Sequence, residues 1–126
     1  ADHPIFTYSA PAASTGIAKY RFVQYSANGV AYPPVGGLGV VGVTLTTFSS
    51  ATTSDFRWGT YAGPGALLKV SAPASTVSAG DRVSCSSRGQ AIPMAAGYNE
   101  LGTVIHGSSG GAGRILSVMV TLAGTT

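Results

Sequence analysis

The stretch VQYSANGVAYPPVGGLGVVGV, residues 23–43, has a second version in VSCSSRGQAIPMAAGYNELGT, residues 83–103. Laid over each other without a gap, the two segments share seven residues, most of them glycine, proline or other small residues that mark turns. The shared pairs are Val23/Val83, Ser26/Ser86, Gly29/Gly89, Ala31/Ala91, Pro33/Pro93, Gly37/Gly97 and Gly42/Gly102. Self-similarity at a fixed spacing indicates an internal repeat. We therefore predict two similar units in one chain.

Each copy of the repeat has the pattern of β-structure. The first copy reads as a strand, a tight turn at Gly29, a short strand to a proline, and a loop after which Gly42 starts another strand. Gly89 and Gly102 take these places in the second copy. An Asn-Gly pair such as the one before Val30 is typical of a hairpin turn. We predict that these four glycines are structural turn residues.

The rest of the chain extends this interpretation. No segment keeps apolar residues at helical spacing over three turns, whereas short runs of branched and aromatic residues recur between turn signals. Strands are predicted at 17–25, 40–47, 55–61, 67–71, 82–86, 101–105 and 114–122. Many short strands at even spacing indicate an all-β protein. The predicted fold is a small β-barrel or sandwich, in which the two units close one barrel over residues 17–126.

The first sixteen residues, ADHPIFTYSAPAASTG, stand outside the repeat. Their prolines disfavour a helix and favour extended chain. Two interpretations are open: a first strand followed by a loop, or an extended N-terminal arm over residues 1–16 that reaches a partner. On the second interpretation the candidate binding residues are Ile5, Phe6, Tyr8 and Pro11.

Composition limits the partners. Only 9% of the residues are charged, against about 25% in ordinary soluble domains, which favours a protein that covers much of its surface in an assembly. The seven basic residues are scattered, so the net charge of +3 predicts no nucleic-acid partner. The uncharged segment 22–54 contains Pro33, Pro34 and several glycines, which argues against a membrane-spanning helix. A single cysteine, Cys85, cannot form a disulfide within the chain and indicates folding in a reducing cytoplasm.

No motif predicts chemistry. His106 lies beside Ser108 and Ser109 in a glycine-rich segment, without the Gly-x-Ser-x-Gly motif of a nucleophile elbow. That segment also lacks the Lys-Ser/Thr pair of a phosphate-binding loop. Two histidines and one cysteine are too few for a structural zinc site. We expect no enzyme activity, no cofactor and no metal.

Five motifs carry a resemblance to a known family. They are Tyr-x-Ala-Pro-Ala (8–12), Gly-Val-Thr (42–44), Ala-Gly-Asp-x-Val (79–83), Leu-Gly (101–102) and Val-x-Val-x-Leu (118–122). In this order, over nearly the whole chain, they resemble the capsid decoration, or cement, proteins of tailed bacteriophages, which have a small β-barrel domain. The resemblance implies a protein made in the bacterial cytoplasm that binds the outside of the mature capsid as a homotrimer. It would clamp neighbouring capsomers, with the major capsid protein as its partner.

The aromatic residues leave an alternative open. Trp58 and the six tyrosines could form a sugar-stacking platform, as in a carbohydrate-binding β-module on a virion or cell surface. That function predicts exposed aromatic rings on one face. Capsid decoration predicts that they are buried at contacts between subunits. Binding of single-stranded DNA has weaker support, because only Arg21, Tyr25 and Arg57–Trp58 combine charge with aromatic rings.

Overall fold

The computed structural model describes residues 7–13, 16–49, 58–73, 77–107 and 114–125. Within these ranges the regular structure is entirely β, which confirms the fold class, and no helix suited to crossing a membrane occurs there. The ten strands are β1 (Thr7–Pro11), β2 (Phe22–Ser26), β3 (Gly29–Ala31), β4 (Val40–Thr44), β5 (Trp58–Ala62), β6 (Leu67–Ala72), β7 (Arg82–Cys85), β8 (Ala91–Pro93), β9 (Asn99–His106) and β10 (Arg114–Thr125).

The strands form two antiparallel sheets of five strands each. The first sheet has the order β1-β5-β4-β2-β3, and the second has the order β6-β10-β9-β7-β8. The second order is the first with every strand number raised by five, so the two halves of the chain have the same topology. We call β1–β5 the first unit and β6–β10 the second unit. Each unit forms its own sheet, and the two do not share the single barrel expected from the sequence.

The hydrogen-bonded register follows the sequence repeat in part. Val23 of β2 pairs with Gly42 of β4. Val83 of β7 pairs with Gly102 of β9, so both residue numbers are raised by 60. The shift becomes 61 in the next strand, because Tyr25 pairs with Val30 whereas Cys85 pairs with Ala91. The hairpin loop of the second unit is one residue longer, which an ungapped alignment of the sequence cannot show.

The extra residue corrects the prediction for the four glycines. Gly89 lies in the β7–β8 turn at a φ of 70°, in the left-handed region. Gly29 instead begins β3 opposite Ser26, so Gly29 and Gly89 are not equivalent. Gly42 and Gly102 lie inside strands, and a Cβ atom on them would stand 2.2 Å from the Ala62 carbonyl oxygen and 2.6 Å from that of Met119. Their role is close approach to the neighbouring strand, not a turn.

Each sheet curls until its two edge strands approach each other. In the first unit a parallel bridge joins Ala12, just after β1, to Val30 of β3. The amide of Ala13 donates to the Val30 carbonyl oxygen at 2.8 Å. The equivalent position in the second unit is Pro73, which has no N–H to donate. There the Gln90 side-chain amide donates to the Ser71 hydroxyl at 3.2 Å and joins the same two edges.

Two hydrophobic cores result from this curvature. The first-unit core lies inside the first curled sheet and consists of Ala12, Ile17, Val23, Val30, Phe48 and Tyr61. The shared core fills the second unit and continues into the first. From the first unit it takes Phe22, Val43 and Ala62, none of which has any exposed surface. These three side chains lie on the outer face of the first sheet, so that face packs against the second unit.

The N-terminal residues differ from the expected arm. Residues 7–11 form an edge strand that pairs with β5 of the same chain, with Tyr8 opposite Tyr61. They therefore adopt the first-strand alternative, and an arm does not extend to residue 16. The strand predicted from residue 17 begins only at Phe22, because Tyr20 has a φ of 65° and interrupts the extended chain.

Candidate functional site

The four predicted binding residues differ in where the structure places them. Tyr8 lies on β1 with 51% of its surface exposed. Pro11 pairs with Trp58 and packs against Gly29 at the closure of the first sheet, where its role is structural. Ile5 and Phe6 lie outside the described residues. Of the predicted set, Tyr8 is therefore the residue that the structure places on an exposed surface.

Tyr8 belongs to a cluster of three tyrosines at one end of the first unit. Its ring lies 5.4 Å from that of Tyr61, centroid to centroid, and the ring of Tyr25 meets Tyr61 edge-on at 6.1 Å. A hydrogen bond joins the hydroxyl groups of Tyr25 and Tyr61. Tyr61 is buried, whereas Tyr25 is 61% exposed. We call Tyr8, Tyr25 and Tyr61 the tyrosine end.

Local packing explains why Tyr61 lies inside the sheet. A Cβ atom on Gly42 would approach the Tyr61 ring to 3.0 Å, so the absence of a side chain there makes room for the ring. Burial, followed by the hydrogen bond with Tyr25 and the proximity of the Tyr25 and Tyr8 hydroxyls, raises the pKa of Tyr61. The hydroxyl of Tyr61 therefore stays protonated at neutral pH. It acts as a hydrogen-bonding group and not as a base.

The equivalent end of the second unit is closed. By strand register the counterparts of Tyr8 and Tyr61 are Leu68 and Val118, and the counterpart of Tyr25 is Cys85. All three counterparts are buried. Burial also raises the pKa of the Cys85 thiol to about 12, so this thiol is protonated and unreactive at neutral pH. The exposed tyrosines thus occupy positions that are held by buried core residues in the second unit.

The second unit has an open groove of about 630 Å³. Its lining residues are Asp81, Arg82, Pro93, Met94, Ala95, Ala96 and Glu100. A salt bridge of 3.0 Å joins the Arg82 guanidinium to the Glu100 carboxylate within it. The groove combines both signs of charge with small and apolar side chains.

The residues considered for chemistry do not form a site. His106 ends β9 and is exposed, Cys85 is in the core, and Ser108 and Ser109 lie outside the described residues. No group of three or more His, Cys, Asp or Glu side chains that could hold a metal ion is found in the described part of the chain. The candidate functional surfaces that the structure offers are the tyrosine end and the groove.

Sequence reasoning named Tyr8 but did not group it with Tyr25 and Tyr61. A usable signal was present in the repeat itself, at the positions where its two copies differ. Tyr25 and Cys85 occupy the same place, and one is a large polar aromatic residue while the other is a small apolar one. Tyr8 and Tyr61 lie outside the compared segments, so their relation to Tyr25 needs the strand pairing.

Comparison with known proteins gives a match in structure but not in sequence. No family model and no curated protein matches the chain. Among solved structures it is similar to the "head fiber gp8.5 N base in bacteriophage phi29", with a TM-score of 0.69. The match covers 98% of this chain and 99% of that chain at 15% sequence identity. The two chains share a fold. Both units of the present chain, and the contact between them, lie within the matched region.

Proposed function

We propose that the chain is a structural protein of a bacteriophage virion that binds the outer surface of the mature capsid. There it stabilises the shell by clamping neighbouring capsomers, as a homotrimer with the major capsid protein as its partner. The observation that carries the proposal is the end-to-end match in fold to the base of a phage head fiber. The motifs that resemble capsid decoration proteins support it independently.

The surface of the domain is consistent with such a role. Tyr8, Tyr25 and Trp58 each expose more than half of their surface, and aromatic side chains of this kind are enriched at protein–protein contacts. A protein that binds the assembled shell, and not its dissociated subunits, stabilises the shell by mass action. No catalytic group is required for this function.

The proposal is tested by adding the purified chain to undecorated shells. Co-sedimentation measures binding, and the temperature at which the shells release their DNA measures stabilisation. We expect saturable binding and a higher release temperature. Shells that neither bind the chain nor gain stability at micromolar concentrations would contradict the proposal.

The segment before β1 gives a sharper version of this test. We propose that Ile5 and Phe6 contact the shell, so deleting residues 1–6 weakens binding and leaves β1 in place. A deletion of residues 1–14 is unsuitable, because it removes β1 and the buried Ala12. Phe6→Ala alone is expected to weaken binding by about 2 kcal/mol, the usual contribution of a buried aromatic anchor. Ile105→Ala, the loss of an exposed apolar side chain that belongs to none of the proposed contacts, is the matched control.

The tyrosine end supports a second candidate, a carbohydrate-binding module. Two exposed rings in contact with a third could stack on a sugar. This function predicts that tyrosine fluorescence changes on titration with host-surface polysaccharide, and that Tyr25→Ala abolishes the change while binding to shells persists. Capsid binding without any response to polysaccharide would eliminate it.

A further inference from the structure

The contact between the two units consists of a hairpin docked into a cleft. The tip of the β7–β8 hairpin lies against the start of β2, where the Phe22 amide donates to the Gly89 carbonyl oxygen at 2.8 Å. The Arg21 guanidinium donates to the Arg88 carbonyl oxygen at 3.1 Å. On the other side of the hairpin the Gly36 amide donates to the Cys85 carbonyl oxygen at 2.9 Å. The cleft of the first unit is therefore formed by residues 21–22 and the turn at 34–37.

The second unit has the same cleft. Its counterparts of Arg21 and Phe22 are Asp81 and Arg82, which line the open groove. The two turns also correspond, because the Gly37 amide donates to the Pro34 carbonyl oxygen and the Tyr98 amide donates to that of Ala95. The third position of each turn is a left-handed glycine, Gly36 at a φ of 93° and Gly97 at a φ of 82°. The groove is thus the cleft of the second unit.

The two clefts differ in what they contact. A Cβ atom on Gly36 would stand 3.0 Å from the Tyr98 ring, and Gly36 is buried. Gly97 is exposed, and a Cβ atom there would meet nothing within 4 Å. The first cleft is therefore covered by the second unit, through the β7–β8 hairpin and Tyr98, whereas no described residue covers the second cleft.

The hairpin equivalent to the docked one is also exposed. The last residue of β2, Ser26, and the turn residues 27–28 lie at the surface beside Tyr25, the counterpart of Cys85. Within the described part of the chain, the first unit therefore presents one unoccupied hairpin and the second unit presents one unoccupied cleft. The hairpin and the cleft that meet inside the chain thus each have an equivalent on its surface.

We propose that the β2–β3 hairpin of one copy docks into the groove of a second copy, repeating between chains the contact that joins the two units within a chain. The Gly97 amide then donates to the Tyr25 carbonyl oxygen of the neighbouring copy, as Gly36 does to Cys85. Asn28 at the hairpin tip brings its side-chain amide to the carboxylates of Asp81 and Glu100 in the groove. Tyr8 and Tyr25 become buried, as their counterparts Leu68 and Cys85 are.

This contact joins two different surfaces, so it is heterologous and closes only as a ring. Three copies in a ring satisfy three hairpins and three grooves. The inference deepens the self-association within the proposed function and rests on it, but it makes no use of the shell. Mass measurement and shell binding therefore separate the two proposals.

The test uses two complementary variants of the full chain. Ala96→Arg fills the groove and leaves the hairpin intact, whereas Ala27→Arg blocks the hairpin and leaves the groove intact; both alanines are exposed. Thr47→Arg, an exposed position in the β4–β5 connection, is the control for the added arginine. Circular dichroism checks that all three remain folded. Sedimentation velocity and light scattering then give their masses.

We expect trimers for the unaltered chain and for Thr47→Arg, and monomers for Ala96→Arg and Ala27→Arg alone. A mixture of the two blocked variants should form dimers, since the intact hairpin of one fits the intact groove of the other. A contact that uses one surface twice cannot give this rescue. The proposal is overturned if the unaltered chain is monomeric, if either blocked variant still forms trimers, or if the mixture stays monomeric. Shell binding by an unaltered monomer would leave the capsid role standing and remove the self-association.

Discussion

The two units have the same strand order, yet the equivalent ends of the two units differ in burial. In the second unit, Leu68, Cys85 and Val118 are buried against a neighbour. In the first unit the same places hold Tyr8, Tyr25 and Tyr61, and two of these rings are exposed. Apolar residues suit the buried end of the second unit because burial stabilises them. Tyrosines suit the exposed end of the first unit because each hydroxyl group can bond to water or, as Tyr25 and Tyr61 do, to another hydroxyl group. The difference follows from which end has a partner inside the chain.

The largest effect on stability is expected at a position that is buried in the first unit and exposed in the second. Phe22 is fully buried in the shared core, and its counterpart Arg82 is exposed in the groove. Phe22→Ala should lower the free energy of unfolding by about 3 to 5 kcal/mol, because it leaves a cavity between the units. Arg82→Ala should cost less than about 1 kcal/mol, the contribution of a solvated ion pair. Urea titration measures both, and equal losses would contradict the assignment of the two faces.

A feature common to both units gives the next effect. Gly42→Ala and Gly102→Ala each place a Cβ atom against the carbonyl oxygen of the neighbouring strand, at 2.2 and 2.6 Å. Both substitutions should cost about 3 kcal/mol, the upper range for overpacking. Gly63→Ala is the matched control, because its Cβ atom would meet the Tyr8 ring at an ordinary 3.6 Å. If thermal unfolding shows Gly42→Ala and Gly102→Ala to be as stable as the control, the strands do not approach as closely as described.

Alkaline pH should lower the free energy of unfolding through Cys85, which is buried in the second unit. The pKa of Cys85 rises from 9.0 to about 12 on folding, so the folded state holds its proton where the unfolded state releases it. The protonated Cys85 thiol therefore makes its full contribution to stability below pH 9, and this contribution is lost as the pH rises toward 12. At pH 10 the loss amounts to roughly 1 to 2 kcal/mol. Cys85→Ala should show a shallower fall in stability between pH 9 and 10 than the unaltered chain, measured by urea unfolding. Parallel curves would show that the thiol does not titrate as proposed.

The smallest effect concerns the closure of the second sheet. Gln90→Ala removes the side-chain bond to Ser71 that stands in for the backbone bond between Ala13 and Val30 in the first unit. The expected cost is about 0.5 to 1 kcal/mol, the net contribution of one hydrogen bond. Gln24→Ala, away from that closure, should change the stability by less. A larger loss for Gln24→Ala would assign the closure of the second sheet to other contacts.

The sequence was a good guide to the strands because turns and close approaches constrain residue type. Gly42 and Gly102 recur because no side chain fits against the next strand, and the sequence repeat therefore aligned these two positions correctly. It failed at Gly29 and Gly89, where a loop insertion shifts the register while leaving both glycines in line. The tyrosine end could not be predicted from the sequence, because Tyr8 and Tyr61 come together through pairing between strands far apart in the chain. The identity of the neighbour that covers the second unit is likewise a property of tertiary packing.

The partition of the cores has a consequence for synthesis on the ribosome. All residues of the first-unit core precede Ala62, so that core can form before the second unit has left the ribosome. The shared core cannot, because it needs Phe22, Val43 and Ala62 as well as the strands that follow. The nascent first unit therefore carries an exposed apolar face until β6–β10 emerge and cover it. In a cell that makes many copies at once, that interval is when the chain is most exposed to association with the wrong neighbour.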